Sequence, residues 1–316
     1  MTGGAGFIGI HLTDRLISEG CRVTILDNLS VGKIENLKQW SDNPNFTFVN
    51  GDLKNPKDIM EAIQGSQTVF HLAANPEVQV GESDPHIHFQ ENLVCTFNLL
   101  EAMRKNETAK TIVFTSTSTI YGEATTLPTL EDYGPLIPIS TYGATKLGCE
   151  AIIASYVYTF NLRALILRLA NMVGPGANHG VILDFVRKLQ TNPNRLEILG
   201  DGNQKKSYLY IDDGIDAILH ATKTFLKTNH KIDIYNIGSH DQIIVKRIAE
   251  IVAEEMHLPN VTFSFTGGID GGRGWKGDVK TMHLSTEKLG KTGWKPKHNS
   301  EQAIRLATRS FLKAIS

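Results

Sequence analysis

The chain has 316 residues, of which 41% are hydrophobic and 21% charged, and its formal net charge is -1. This composition is ordinary for a globular protein, and the near-neutral charge excludes a global field that would attract nucleic acid or an anionic membrane. Three widely spaced cysteines, Cys21, Cys95 and Cys149, argue against a disulfide framework and against a zinc site. No apolar run is long enough to span a bilayer, so a cytoplasmic location is expected.

The first half of the chain alternates short β-branched runs with helical patterns, which is typical of parallel βαβ units. Near-continuous apolar strands between helices indicate a sheet covered on both faces, so the predicted fold class is α/β with a doubly wound (Rossmann) parallel sheet. Strands are predicted at 21–27, 46–52, 68–74, 111–117 and 163–170, and helices at 8–19, 56–64, 85–104 and 141–159.

The regular alternation ends after Leu169. Residues 171–180 are predicted to form a loop, and the elements after it are a helix at 181–190, a short strand at 196–202, a strand-turn-helix from 208 that rejoins the sheet, and a strand at 233–238. The last part of the chain, from about 240, is expected to mix short helices with glycine-rich turns. We expect it to form a smaller cap over the carboxyl edge of the sheet, where ligands of such folds bind.

Three glycines near the start have the spacing of a dinucleotide-binding loop. In TGGAGFIG, Gly3 permits a tight turn, Gly6 lets the backbone approach a pyrophosphate, and Gly9 lets the next helix pack close to the sheet. Asp27 ends the following strand, where a carboxylate accepts from the adenosine ribose hydroxyls and repels a 2′-phosphate. The set predicts NAD rather than NADP as cofactor.

Only Met1 and Thr2 precede the first glycine of this loop. In the doubly wound order 3-2-1-4-5-6, the strand before the loop lies at the centre of the sheet. We therefore expect several more apolar residues upstream in the natural protein, and a gap or a two-residue stub at that position in this chain.

Asp52 ends the next predicted strand, at 46–52. There it either accepts from the adenine amino group or caps the helix at 56–64.

Tyr142 and Lys146 are spaced i, i+4 in TYGATK, which places both on one face of the predicted helix. A nearby ammonium group lowers the pKa of a tyrosine, so a phenolate base becomes available near neutral pH. The hydroxyls of VFTSTSTIYG lie at the carboxyl end of the preceding strand, where a Ser or Thr can donate to the same substrate oxygen. The combination predicts proton transfer beside a nicotinamide.

The series TGGAGFIG, DNLS, GDL, FHLAA, TSTSTIYG and YGATK resembles the extended short-chain dehydrogenase/reductase family, and within it the NAD-dependent sugar-nucleotide 4-epimerases. The resemblance runs over essentially the whole chain. It implies a NAD-binding Rossmann domain over 1–170, to which 208–238 return, and a substrate-binding domain made of 171–207 and 239–316. Relatives are commonly homodimers through two long helices, here 85–104 and 141–159, so a homodimer is expected.

The resemblance also implies roles for single residues. Tyr142 is similar to the catalytic base, Lys146 to its partner on the nicotinamide ribose, and Thr117 to the catalytic hydroxyl that touches substrate. The other implied cofactor-binding residues are Gly3, Gly6, Phe7, Ile8, Gly9, Asp27, Asn28, Asp52, Leu53, Leu72, Ala73, Ala74 and Asn92. The implied substrate-binding residues are Asn171, Val181, Lys206, Tyr208, Arg273 and Asp278. His71 is expected to be a core histidine, and no metal site is expected.

The two residues after Thr117 distinguish the reactions that this scaffold supports. The 4,6-dehydratases that this chain resembles carry Asp-Glu at these two positions. The UDP-glucuronate decarboxylases that it resembles keep a Glu at the second, whereas this chain has Ser118 and Thr119. The reaction that remains is 4-epimerisation, implied for UDP-glucose and UDP-galactose through a 4-keto sugar. Tyr142 would remove the C4 hydroxyl proton while the C4 hydride passes to NAD and returns to the other face.

Several departures from the family pattern leave the substrate open. Lys206 stands where relatives have a diphosphate-clamping arginine, and Trp275 stands at another arginine position, with Arg273 two residues upstream. Met282 occupies a position that gates bulky 2-acetamido sugars in relatives. A 4-epimerase of UDP-glucuronate or of a UDP-N-acetylhexosamine is therefore an alternative, and a non-catalytic NAD-binding sensor is another.

Overall fold

The computed structural model describes residues 1–315, which divide into two compact units. The first unit contains Met1–Thr117, Thr141–Arg168 and Ile218–Tyr235, and the second contains the remaining segments. Residues 118–140 thus fall in the second unit, whereas the sequence analysis assigned them to the first domain. The two units are of similar length, the second being slightly the shorter. The division into cofactor and substrate domains stays a prediction.

The bounds of the elements are as follows. The strands, in chain order, are β1 (Val23–Asp27), β2 (Phe46–Asn50), β3 (Thr68–His71), β4 (Thr111–Thr117), β5 (Arg163–Leu169), β6 (Asn171–Val173), β7 (Arg195–Ile198), β8 (Lys205–Lys206), β9 (Tyr208–Tyr210), β10 (Ile232–Ile237), β11 (Ile243–Ile244), β12 (Thr262–Phe265) and β13 (Thr281–Met282). The helices are α1 (Phe7–Ser18), α2 (Pro56–Ile63), α3 (Val80–Ser83), α4 (Pro85–His88), α5 (Cys95–Lys105), α6 (Thr141–Phe160), α7 (Val181–Thr191), α8 (Ile211–Leu226), α9 (Val245–Glu255), α10 (Glu287–Gly290) and α11 (Ser300–Ile315). Short 3-10 turns span Ile34–Trp40 and Ser118–Tyr121, and a π turn spans Phe89–Val94.

The main sheet has the predicted doubly wound order. β1 pairs in parallel with β2, and β3, β4, β5 and β10 form a four-stranded sheet in the order β10-β5-β4-β3. Thr2 links the two groups of strands, because it forms parallel bridges with Leu26 of β1 and His71 of β3. The order β2-β1-Thr2-β3-β4-β5 confirms the predicted fold class.

Thr2 therefore occupies the central position that the sequence left almost empty. Its N–H donates to the carbonyl of Phe70 at 2.9 Å, and its carbonyl accepts from the N–H of Leu72 at 3.2 Å. On the other side, the N–H of Gly3 donates to the carbonyl of Leu26 at 2.9 Å. The two-residue stub that was expected at this position is thus present, and it pairs with both neighbouring strands.

Three local predictions differ from the structure. The helix expected at 85–104 is α4 and α5 joined by the π turn, and it ends at Lys105. The loop expected at 171–180 begins with β6, which pairs in parallel with β9, so the strand at 208 joins β6 rather than the main sheet. The last part of the chain includes α11, a helix of 16 residues rather than a short one.

Each unit has its own apolar core. In the first unit, side chains of β3, β4 and β5 pack with those of α2, α5 and α6, and Leu99, Ile112 and Ile153 are fully buried. In the second, α7, α9 and α11 pack with β7. Within the described residues no helix has the length and apolarity to cross a membrane, and all three cysteines are free.

Candidate active site

The glycine loop connects the stub to α1, and its glycines meet different surroundings. A Cβ on Gly9 would lie 2.5 Å from both the carbonyl oxygen of Gly3 and the Cα of Gly4, and one on Gly3 would lie 2.7 Å from the amide nitrogen of Ala73. A Cβ on Gly6 would meet only the Gly3 oxygen, at 3.4 Å. The fold itself therefore requires glycine at 3 and 9, whereas at Gly6 the space lies open in front of the loop.

The residues around this space fit a dinucleotide. Gly6 is the N-cap of α1, so the first-turn amides at Phe7 and Ile8 have no intrahelical acceptor and carry the positive end of the helix dipole. Asp27 ends β1 beside the loop, where its Oδ2 accepts from the N–H of Ala5 at 3.0 Å and its Oδ1 from the N–H of Leu29 at 2.8 Å. A pyrophosphate suits the helix N-terminus, and a ribose diol suits a carboxylate at this strand end.

Asp52 lies beside Asp27's strand end and does not cap a helix. The cap of α2 is Asn55, whose side chain accepts from the N–H of Lys57, so the capping interpretation of Asp52 is wrong. Asp52 instead accepts from the side-chain amide of Asn28 at 3.0 Å. Burial acts to raise the pKa of Asp52, but the hydrogen bond from Asn28 and the contacts with Lys54 outweigh it and lower the pKa. Leu53, next in the chain, is buried.

His71 is the core histidine that the sequence favoured. Its Nδ1 lies 2.7 Å from Thr2 Oγ1 and its Nε2 lies 2.9 Å from Thr96 Oγ1. Thr96 donates to the carbonyl of Asn92 at 2.6 Å, so Nε2 carries the proton and Nδ1 accepts from Thr2. Burial lowers the pKa of His71 to about 3, with a smaller contribution from the Lys146 charge.

Asn92 joins the cofactor side of the unit to α6. Its Oδ1 accepts from the N–H of Asn75 at 2.8 Å, and its Nδ2 donates to Thr145 Oγ1 at 3.3 Å. Thr145 in turn donates to the carbonyl of Tyr142 at 3.0 Å. Asn92 lies in the π turn, a departure from α geometry that is frequent at functional sites. The implied residues Leu72, Ala73 and Ala74 follow β3 and are partly buried.

The structure brings the three predicted catalytic residues together at the carboxyl end of β4. The phenol of Tyr142 is hydrogen-bonded to the side chain of Thr117, the last residue of that strand. Lys146 is buried, donates from Nζ to the carbonyl of Thr115 at 2.8 Å, and has its ammonium 4.7 Å from the ring centroid of Phe114. A substrate alcohol that entered the contact between Tyr142 and Thr117 would be within hydrogen-bond reach of both the phenol and the threonine hydroxyl.

The protonation of this group differs from the prediction. Burial raises the pKa of Tyr142 to about 12, although the hydrogen bond with Thr117 acts to lower it. Burial also lowers the pKa of Lys146 to about 8. The expected lowering of the tyrosine pKa by its lysine neighbour is therefore wrong for the protein alone, because removal from water disfavours both charges.

His88 is a site residue that the sequence did not indicate. It is fully buried, and its ring lies edge-on to that of Tyr142 with the centroids 5.7 Å apart. Its Nε2 donates to the carbonyl of Glu77 at 3.0 Å, so Nδ1 accepts from Thr141 Oγ1 at 2.9 Å. Burial lowers the pKa of His88, which keeps the ring neutral. In the sequence, His88 belongs to no motif that could have identified it.

In the second unit, strand pairing gathers several implied substrate residues. Asn171 of β6 lies opposite Tyr208 of β9, and its side-chain amide donates to the carbonyl of Ser207 at 3.3 Å. Lys206, two residues before Tyr208, forms an ion pair with the buried Asp278. Asp278 also accepts from the N–H of Gly274 at 3.2 Å. Burial raises the pKa of Tyr208, and the Asp278 charge adds to the shift. Val181 begins α7.

Arg273 and Trp275 have partners within the same unit. Arg273 donates to Glu123 from Nε at 3.3 Å and from Nη2 at 2.8 Å. The Lys206 ammonium lies 5.5 Å from the ring centroid of Trp275, whose indole Nε1 is buried and, among the described residues, has no hydrogen-bond acceptor. Among the implied substrate residues, Lys206 and Asp278 therefore lie beside Trp275, and Arg273 forms an ion pair with Glu123.

A doubly wound sheet with a glycine loop at a helix N-terminus, and a Thr-Tyr-Lys group at the end of its fourth long strand, defines a nicotinamide-dependent enzyme of the short-chain dehydrogenase/reductase class. The chain belongs to the NAD dependent epimerase/dehydratase family, whose sequence model matches residues 1–238. NAD is the cofactor of this family. The protein is accordingly an enzyme of the nucleotide-sugar epimerase/dehydratase group.

Individual relatives agree with this assignment. The chain is 33% identical over 311 residues to a putative UDP-glucose 4-epimerase of Methanocaldococcus jannaschii, with 96% of this chain and 95% of the relative covered. A crystal structure of a UDP-galactose 4-epimerase matches with TM-score 0.87 and 41% identity over 100% of this chain and 98% of the other. UDP-glucuronic acid 4-epimerase of Bacillus cereus, in complex with UDP-glucuronic acid and NAD, matches with TM-score 0.86 and 27% identity, covering 99% and 98%.

Proposed function

We propose that the protein is a NAD-dependent 4-epimerase that interconverts UDP-glucose and UDP-galactose. The observation that carries the proposal is the group of Thr117, Tyr142 and Lys146 at the end of β4, followed in sequence by Ser118 and Thr119 rather than by carboxylates. An elimination of water or carbon dioxide needs further acid and base groups, which those two positions do not offer. A reversible oxidation needs only the group that is present.

In this mechanism the chain's own residues handle the proton and the substrate oxygen. Tyr142 removes the proton of the C4 hydroxyl, and Thr117 donates a hydrogen bond to the same oxygen while it becomes a ketone. NAD, held at the glycine loop, would supply the oxidant for C4 and the reductant for its return. Lys146, held on the carbonyl of Thr115, lies one turn from Tyr142 on α6, where its ammonium would bind the nicotinamide ribose. Return of the proton from Tyr142 completes epimerisation with no net redox change.

Three cations of the second unit are each paired with a carboxylate. Lys206 is paired with Asp278, Arg273 with Glu123, and Lys280 with Asp201 at 3.2 Å. We propose that Asn171, Tyr208 and Lys206 bind the nucleotide diphosphate and that Asp278 binds its ribose, with Val181 and Arg273 nearby.

The test is incubation of the purified protein with UDP-galactose, UDP-glucuronate and UDP-N-acetylglucosamine, each without added NADH. Formation of UDP-glucose from UDP-galactose at the highest kcat/KM supports the proposal. Preference for UDP-glucuronate or the acetamido sugar replaces it with the corresponding alternative. No turnover of any nucleotide sugar, with NAD still bound, replaces it with the sensor interpretation.

A variant pair on α6 tests the chemistry itself. Tyr142→Phe removes the base and should reduce turnover by about 10²-fold or more. Tyr158→Phe is the matched control, because that phenol is 66% exposed on the same helix. Activity of Tyr142→Phe above about a tenth of wild type would refute Tyr142 as the base.

We also propose a homodimer that buries an aromatic face of α5 and α6. Phe97 and Tyr156 lie edge to face at 6.2 Å, and Tyr156 lies 4.8 Å from Phe160, so the three rings are continuous. Phe97 and Phe160 are 44% and 41% exposed. Phe97→Glu should convert a dimer into a monomer in sedimentation, whereas Leu226→Glu, at an equally exposed position of α8, should not. A monomeric wild type would contradict the proposal.

A further inference from the structure

Three consecutive residues at the end of β4 are each held by α6. Thr115 accepts from Lys146 through its carbonyl, and Thr117 is hydrogen-bonded to Tyr142. Between them, Ser116 donates from Oγ to Glu150 Oε1 at 2.5 Å. The helix positions involved are separated by one turn each, so they form one row along α6. The first two contacts belong to the catalytic group, and the third has no part in the chemistry.

Glu150 is also the partner of a buried arginine. Arg168 of β5 donates to its two oxygens, from Nη2 at 2.8 Å to Oε2 and from Nε at 3.1 Å to Oε1. Glu150 is 6% exposed, Arg168 4% and Ser116 3%. Separating such a buried pair is strongly destabilising, although the pair itself is weak evidence for stability. Its location one turn beyond Lys146 therefore calls for a more specific role.

We propose that Glu150, held by Ser116 and Arg168, is a positioning residue that fixes α6 on β4 and keeps Lys146 charged. The proposal rests on the proposed 4-epimerase function, because it concerns the same proton-transfer group. Ser116 and Arg168 come from two neighbouring strands, so together they allow α6 only one register along the sheet. A shift of α6 by a fraction of a turn would separate Tyr142 from Thr117 and Lys146 from Thr115.

The charges that face Lys146 give Glu150 its second effect. The neutral His71 faces Lys146 from β3, and the Phe114 ring and the Thr115 carbonyl face it from β4. Arg168 of β5 is paired with Glu150. On α6 itself, Cys149 has its thiol pKa raised by burial and is neutral near pH 7. Glu150 is thus the nearby anion that opposes the loss of the Lys146 proton. If residue 150 were neutral, the positive charge of Arg168 would no longer be balanced by a carboxylate at this position.

The experiment measures the pKa of Lys146 directly, by ¹³C-detected NMR titration of labelled lysine side chains, alongside the pH profile of kcat. In Glu150→Gln the amide nitrogen cannot accept from Arg168, and the charge is gone. We expect the Lys146 pKa and both limbs of the profile to move to lower pH by about half a unit or more, and kcat to fall about tenfold with KM changed less than about twofold. Glu150→Asp should restore the Lys146 pKa but not the full kcat.

Two further variants keep the test decisive if Glu150→Gln folds poorly. Ser116→Ala removes one hydrogen bond and no charge, so kcat should fall about threefold while the Lys146 pKa stays in place. Glu19→Gln breaks an exposed pair with Lys223 and should change neither quantity. An unshifted Lys146 pKa in Glu150→Gln, or wild-type kcat in Ser116→Ala, would overturn the proposal. The NMR titration needs no substrate, so it tests the effect of Glu150 on the Lys146 pKa even if no UDP-sugar is turned over.

Discussion

The three glycines of the first loop should respond differently to alanine, because two serve the fold and one serves the cofactor. A Cβ at position 9 would lie 2.5 Å from the backbone of Gly3 and Gly4, well inside van der Waals contact with atoms that cannot turn away. Overpacking of this kind costs about 1–3 kcal/mol. For a chain of this length we expect Gly9→Ala to lower Tm by about 2–4 °C per kcal/mol lost.

Position 6 has no such conflict. The backbone of Gly6 has φ −81° and ψ 176°, which any residue adopts, and an added Cβ would meet only the Gly3 oxygen at 3.4 Å. Gly6→Ala should therefore change the free energy of unfolding by less than about 1 kcal/mol in the absence of NAD. If the pyrophosphate lies against this loop, the same methyl group occupies its place. We expect the NAD affinity to fall about tenfold or more, which corresponds to about 1.4 kcal/mol.

The assays are urea unfolding of the protein stripped of NAD and calorimetric titration with NAD. The expected pattern is a loss of stability in Gly9→Ala and a loss of NAD affinity without loss of stability in Gly6→Ala. NAD binding by Gly6→Ala within about twofold of wild type would refute the placement of the pyrophosphate. Equal destabilisation by both variants would refute the division of roles between the glycines.

Further predictions concern single side chains. Lys206→Met should raise KM for the UDP-sugar about tenfold and leave NAD affinity unchanged, because it removes the ammonium on Asp278, and the exposed Lys205→Met is its control in steady-state kinetics. Asp27→Asn should weaken NAD binding about tenfold in calorimetry, because the amide nitrogen would face one of the two N–H donors of Ala5 and Leu29. His71 has its pKa lowered from 6.5 to about 3, so the unfolded chain binds the extra proton and stability falls as pH drops below 6.5, by about 2 kcal/mol at pH 5. Urea unfolding across this range should show a shallower pH slope in His71→Gln, and an equal slope would contradict the assignment.

The parts of the fold that were predicted from sequence are those with a local signal. Apolar runs between helical patterns gave the strands of the main sheet, and the glycine spacing gave the loop. The i, i+4 spacing of Tyr142 and Lys146 predicted their shared helix face, and the resemblance to the family singled out Thr117 from the hydroxyl cluster.

What escaped the sequence depends on long-range packing. Residues 118–140 have no periodicity to show that Thr129 pairs with Leu284 and joins the second unit. Glu123 meets Arg273 across 150 residues of chain, and no local pattern connects the two. The pKa of Tyr142 was mispredicted for the same reason, since the depth at which a side chain is buried is a property of the folded chain.

The raised pKa of Tyr142 leads to a last prediction, because the active form needs a phenolate beside an ammonium. With pKa values of about 12 for Tyr142 and about 8 for Lys146, the pair holds its proton on the phenol. The four-unit difference means that, in the protein alone, phenolate with ammonium is about 10⁴-fold less populated than phenol with neutral amine, the state that holds the same number of protons. A base that is ionised so rarely would slow proton removal.

An added positive charge beside the phenol would reduce this deficit, and the oxidised and reduced cofactors differ by that charge. We expect phenolate absorbance to titrate near pH 12 in the stripped protein, and one phenol to titrate at least two units lower with NAD⁺. NADH should produce a much smaller shift, and Tyr142→Phe should show none with either form. An equal shift with both forms would mean that contact with the cofactor, rather than its charge, tunes the base. If NAD⁺ lowers the phenol pKa and NADH does not, the phenolate is available only while the ring can accept a hydride, which couples proton removal to the oxidation step.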